Sequence, residues 1–220
     1  MNDKPNMTLE EIKAAASRLV QAGGEVREQL RELTMRALTQ GDLAEKEIRE
    51  VLNAITEGVS LGAAQRADDV KTALSDALNG VDDALSHAAE AMHLAISEVA
   101  ADAREFAAND LQQGLDDLKK LEATFLEVVG RVAEGASGLV RQEMAAIAEH
   151  GRRIGTDTGG RVRGVADDLG NRMRTAAHEA ADSGRQAARV IGARVAAMAS
   201  RKLGEMAVRL NEKAEHLKQK

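Results

Sequence analysis

The sequence has no Cys, no Trp and no Tyr, and only two Phe and one Pro among its 220 residues. Without cysteine there are no disulfides and no thiolate metal ligands, which fits a reducing cytoplasm. With aromatics at 1%, a compact globule would lack the large side chains that normally supply much of its buried area. The single proline is Pro5, so no later proline interrupts a helix. No apolar run approaches the ~20 residues needed to span a bilayer. The start, Met1-Asn2-Asp3-Lys4-Pro5, lacks the apolar core of a secretion signal. These absences lead to the expectation of a cytoplasmic protein without membrane spans.

What the chain does have is alanine, 41 residues of it. Val and Ile occur singly within Ala, Leu, Glu and Arg runs, never in the alternation of a half-buried strand. The fold class that follows is all-α. Narrow Ala, Leu, Val and Met stripes suit an elongated long-helix bundle, or a helical hairpin or coiled coil, with small helices at the N-terminus.

The net charge of −6 conceals an uneven distribution. Residues 1–65 carry a net −3, residues 66–150 a net −10 and residues 151–220 a net +7, the last including eleven Arg. An acidic middle joined to a basic end points to a partner: an anionic surface, a nucleic acid, or the protein's own acidic region. The same boundaries give the expected organisation: short N-terminal helices in 1–65, a long acidic hairpin in 66–150, and a Gly hinge with a basic amphipathic helix in 151–220.

Thr8-Leu9-Glu10-Glu11 fits a capping box, and Gly23-Gly24 should end the helix it starts. A second helix is expected from about Glu25 to Thr39, with Val26, Leu30, Leu33 and Ala37 inside. Asp42 with Glu45 fits a second capping box, opening a helix that carries Ile48, Leu52 and Ile55. Gly58 and Gly62 should weaken its end, each by about 1 kcal/mol relative to Ala. From 66 to 108 a continuous helix-pairing stripe includes Val70, Leu74, Leu78, Val81, Leu85, Met92, Ile96, Val99 and Phe106, at steps of three and four. Asn109-Asp110 is the expected bend. A second arm, with Leu111, Leu115, Leu118, Phe125, Val129, Val132, Ala136, Leu139 and Met144, would then return alongside the first; a single unbroken rod is the alternative. The segment 151–160 has four Gly besides Thr156, Asp157 and Thr158, and its composition is that of a hinge.

Beyond it the apolar positions are Val162, Val165, Leu169, Met173, Ala176, Ala180, Gly184, Ala187, Ile191, Val195 and Met198. They repeat every eleven residues, close to the natural pitch of a helix, so a nearly straight helix keeps one face on a flat surface. Arg161, Arg163, Arg172, Arg174 and Arg194 flank this stripe. Long basic side chains beside an apolar face can bury their stems and extend their charges to water or lipid headgroups. The eight Gly between 155 and 204 make the arm only marginally helical by itself, so ordering on contact is expected.

No catalytic constellation stands out, and no cofactor, metal or small-molecule substrate is expected. Glu90-Ala-Met-His93 is the only Glu-x-x-His, whereas a di-iron bundle needs two. His178-Glu179-Ala180-Ala181-Asp182 has Asp where a zinc-protease helix has its second His. The Gly155–Gly160 run lacks the Gly-Lys-Ser/Thr ending of a phosphate loop, and no strand precedes it.

The middle of the chain, from Gln29-Leu30-Arg31-Glu32-Leu33-Thr34 to Arg141-Gln142-Glu143, resembles uncharacterised bacterial all-helical proteins. The segments 54–62 and 125–129 carry that likeness, which implies a helical fold and no known activity. In composition and stripe pattern the whole chain also looks like phasins, the helical coats of bacterial polyester granules. The eleven-residue stripe is similar to those of apolipoprotein- and perilipin-like lipid coats. These likenesses imply granule or lipid-surface association.

The expected function is therefore a non-enzymatic coat or tether on an amphiphilic surface, with 162–198 as the binding stripe and the arginines as its basic flank. A self-assembling homo-oligomeric scaffold, pairing the basic arm with the acidic hairpin, is the alternative. A nonspecific nucleic-acid binder is a third reading, supported by the arginines but without aromatics for base stacking.

Overall fold

Thr8 opens the first helix as its capping box requires. Its hydroxyl accepts from the Glu11 amide at 3.3 Å, and the Glu11 carboxylate accepts from the Thr8 amide at 2.8 Å. The computed structural model describes residues 6–40, 45–66, 69–102, 108–179 and 204; of helical residues 96, 98–102, 108–115, 117–119, 169, 170 and 172–179 only the backbone is described. Within that range the regular elements are helices: α1 (Leu9–Ala22), α2 (Val26–Leu38), α3 (Glu45–Ala63), α4 (Val70–Asp102), α5 (Ala108–Gly135), α6 (Gly138–Ile154) and α7 (Asp157–Glu179). The protein is all-α. Gly23 and Gly24, at φ of 75° and 80°, turn α1 into α2 in the left-handed region that a side chain disfavours.

Few aromatics do not leave this chain without a core. Ile12, Leu30, Leu52, Ile55, Leu74, Leu78, Leu85 and Met144 are fully buried. Around them the small residues bring helices close together. A methyl group on Gly58 would overlap the Lys13 carbonyl oxygen and lie 2.8 Å from Ala16 Cβ; one on Gly62 would lie 2.5 Å from the Ser17 oxygen. The two glycines, four apart on one face, let α3 approach the backbone of α1, with both helices running the same way. Gly80 serves α4 in the same manner, against the Arg27 carbonyl of α2. The helix propensity lost at these glycines is exchanged for backbone-to-backbone packing.

Helix α4 is the centre of the molecule and touches all six other helices. Val70, Leu74, Leu78, Val81, Leu85 and Met92 of its predicted stripe are buried, and so are Ala73, Ala77, Ala84, Ala88, Ala89, Ala91 and Ala95. The expected narrow stripe is thus a helix covered on several faces, because alanine lets neighbours pack on its other sides. Of Ile96 and Val99 only the backbone is described, and Phe106 lies outside the described residues.

The two-arm hairpin expected for 66–150 is replaced by three helices. Asn109 and Asp110 lie in the first turn of α5; residues 103–107, just before it, lie outside the described residues. The predicted second arm breaks at Ala136-Ser137, after which Gly138 takes φ of 56° and α6 folds back along α5. The break resets the helical phase. Val140 and Met144 therefore face inward, and Leu139, predicted inside, is exposed. Asp42 and its capping box fall outside the described residues.

Candidate functional site

The residues chosen from sequence converge, where they are described, on the root of the C-terminal arm. Gly155, at φ of 95°, ends α6 with its amide on the Gly151 carbonyl at 2.8 Å. Thr156 then caps α7, its hydroxyl accepting from the Gly159 amide at 3.0 Å. Two distant carboxylates complete the cap. Glu122 of α5 accepts from the Thr156 amide and hydroxyl at 2.9 and 3.1 Å. Asp82 of α4 accepts from the Asp157 and Thr158 amides at 2.8 and 3.2 Å, and the Thr158 hydroxyl donates to the Asp82 carbonyl at 2.9 Å. Both negative charges sit where the helix dipole is positive.

The segment 151–160 is consequently a packed turn and not a free hinge. Thr158 is fully buried and Gly151 lies against Leu126; a methyl group on Gly159 would overlap the Glu122 carboxylate. Its glycines provide a left-handed turn and close approach, and the polar residues that hold it belong to other helices.

From this turn α7 runs parallel to α4, on the seam between α4 and α5. Val162 and Val165, predicted as the start of the surface-binding stripe, are each only 5% exposed and belong to the core. This corrects the stripe at its first two positions: the protein covers them itself. Arg161 of the basic flank is exposed, with its guanidinium 3.7 Å from Glu90 of α4. Further along, His93 Nε2 lies 2.9 Å from Asp168 Oδ2. Arg163 is exposed, with its guanidinium beside Gly155. Leu169, Met173, Arg172 and Arg174 lie on α7, where only their backbone is described; Ile191, Val195, Met198 and Arg194 lie outside the described residues.

A groove of about 650 Å³ runs beside this seam, lined in part by Asp83, His87, Glu90, His93, Asp157 and Arg161. Both members of the sole Glu-x-x-His motif are turned toward α7 here, Glu90 to Arg161 and His93 to Asp168. His87 Nδ1 is 2.7 Å from the Asp83 carbonyl oxygen. Among the described residues no group of three or more His, Asp or Glu is arranged to hold a metal ion. What the seam does is fasten α7 to the acidic helix by apolar burial, capping, the Arg161–Glu90 ion pair and the His93–Asp168 contact.

Asp82 makes that fastening sensitive to pH. Burial raises its carboxyl above the ordinary range, opposed by the hydrogen bonds from Thr158 and Asp157. A raised folded-state value means that the folded protein holds the proton more tightly than the unfolded chain. Asp82 therefore adds stability as pH falls from above its folded value to below its unfolded one. Measured by urea unfolding at a series of pH values, the stability of the natural protein relative to Asp82→Asn should increase on acidification through that window and be flat outside it.

The described helices include none long and apolar enough to cross a membrane. In comparison with known proteins, the sequence model of a family of unknown function (DUF6781) matches residues 2–212. The chain belongs to this family. The match reaches from before α1 through α7 into the basic arm, a wider span than the 29–143 likeness seen in the sequence. No curated protein and no solved structure matches the chain.

Proposed function

We propose that this protein is a non-enzymatic, surface-associating helical protein whose body anchors one end of an amphipathic basic arm. The observation that carries this reading is the division of the eleven-residue stripe. Val162 and Val165 are held in the core. In sequence the same stripe continues through Leu169, Met173, Ile191, Val195 and Met198, flanked by Arg172, Arg174 and Arg194. An apolar line bordered by arginines matches the chemistry of an interface with anionic groups above an apolar layer. The surface is of the phasin or lipid-coat kind: a storage granule, lipid droplet or membrane. Full-length protein should float with anionic vesicles, gain helix by circular dichroism, and lose most binding when Met173, Ile191 and Val195 are together changed to Asp. Absence of flotation with both vesicles and polyester granules counts against the proposal.

A second reading has its own support in the Arg161–Glu90 contact, which pairs the basic arm with the acidic helix within one chain. The same pairing exchanged between chains would build a homo-oligomeric scaffold. Sedimentation without lipid separates the two: a scaffold holds a fixed oligomer, whereas the coat does not require one. A salt-steep shift of DNA would instead support nucleic-acid binding.

A further inference from the structure

Ile154 ends α6 and is the most exposed of the large apolar side chains among the described residues, at 63%. The turn behind it is fixed. The Gly155 amide donates to the Gly151 carbonyl, and the amides that follow are held by Glu122 and Asp82. The fold therefore holds this isoleucine in water, without the burial that a side chain of its size normally finds. It also continues a line. Leu139, 48% exposed, Ala146 and Ile154 follow one another at seven and eight residues, about two turns each, along the outward side of α6. On the inward side Val140, Met144, Ala148 and Gly151 are buried. Of the other residues on the outward side, Glu143 is half-buried and His150 exposed.

The charges around Ile154 are of one sign. Residues 150–163 contain four Arg and a single acidic residue, Asp157. Two of the four arginines are engaged: Arg152 with the Leu126 carbonyl at 3.2 Å and Glu149 at 3.9 Å, and Arg161 with Glu90 at 3.7 Å. The guanidinium groups of the other two, Arg153 and Arg163, are exposed and have no ion-pair or hydrogen-bond partner among the described residues. These two bracket the isoleucine. Arg153 precedes it in the chain, and Arg163 Nη2 lies 3.1 Å from a methyl group built on Gly155, which follows it. Asp157 lines the α4–α7 groove with Asp83 and His87, and Glu122 is turned onto Thr156.

We infer that this α6–α7 corner is where the folded body itself meets an anionic lipid layer. Ile154 enters the layer, and Arg153 and Arg163 pair with headgroup phosphates. Guanidinium groups bind phosphate oxygens in a planar fork, and an apolar tip between such groups suits the boundary between headgroups and acyl chains. The inference rests on the surface-associating reading above and adds a contact of the body to that of the arm. The corner adjoins the root of α7, so the arm leaves the body at the point of contact.

The natural absence of tryptophan makes the test direct. Ile154→Trp in the full chain supplies its sole indole. With vesicles containing phosphatidylglycerol, its emission should shift to the blue and be quenched by brominated acyl chains, whereas Leu61→Trp, on α3, should show neither change. Flotation is measured on the same samples. Arg153→Gln with Arg163→Gln should weaken vesicle binding roughly thirtyfold at low salt, at about 1 kcal/mol for each arginine near an anionic surface, and leave the circular dichroism of the free protein unchanged. Flotation of the Ile154→Trp protein without a blue shift overturns the corner contact and leaves the surface-associating reading standing. Absence of flotation overturns that reading and the contact with it. A blue shift that grows with protein concentration in the absence of vesicles assigns the corner to a second copy of the chain and overturns the lipid contact.

Discussion

Gly58→Ala should lower the unfolding free energy by about 2 kcal/mol, although the same change on an open helix face raises stability. The new methyl group meets the Lys13 carbonyl oxygen and Ala16 Cβ of α1, both fixed by their own helix. Neither can swing aside as the end of a flexible side chain would, so α1 and α3 must separate. Separation loosens the contacts of Ile12, Val20, Leu52 and Ile55, all nearly or wholly buried. The gain in helix propensity, about 1 kcal/mol, offsets only part of that loss. Gly62→Ala should behave alike, and the double substitution should cost less than the two singly, because a seam already opened by one methyl group accommodates the second. Gly164→Ala supplies the contrast. Nothing lies within 4 Å of a methyl group there, and the position is inside α7, so stability should rise by several tenths to 1 kcal/mol. Urea unfolding of the four variants decides the matter, and equal signs at Gly58 and Gly164 would contradict close packing of α1 on α3.

Val162→Asp should detach α7 from the body. Val162 is buried among apolar neighbours, and a carboxylate there loses the burial of the valine, roughly 1.5–3 kcal/mol, and adds the cost of desolvating a charge. The chain avoids the greater part of that cost by releasing the helix, so the effect is bounded by the docking free energy of α7. Amides of 157–168 should exchange about a hundredfold faster, equivalent to nearly 3 kcal/mol, while those of α1–α3 change little. Val165→Asp should do the same. If Val162 instead served an external surface, its substitution would leave exchange of the free protein unchanged and alter only binding.

Local features of the fold were legible in the sequence because their causes are local. The Thr8–Glu11 capping box, the Gly23-Gly24 stop and the apolar spacing of α4 each depend on residues a few positions apart. The errors arise where the cause lies far along the chain. The glycines of 151–160 have the composition of a flexible link, but the groups that fix them, Asp82 and Glu122, are 75 and 34 residues away and carry no local signature. Gly58 and Gly62 were legible as weak helix formers; their spacing of four was the available sign that another backbone lies against them. The eleven-residue periodicity identified the apolar face of α7 but not what covers it. A stripe that meets the protein's own core at Val162 and one that meets an external surface follow the same spacing rule, and the α4–α5 seam is what distinguishes them.

In the proposed arrangement one continuous stripe has two uses, internal at its root and external beyond it. Amide exchange of the full-length protein, followed by mass spectrometry with and without saturating anionic vesicles, tests it most directly. Residues 157–166 should be protected in both conditions, and 169–198 should gain protection only with vesicles. Unchanged exchange across 169–198 would contradict it, as would vesicle-dependent protection beginning at Val162.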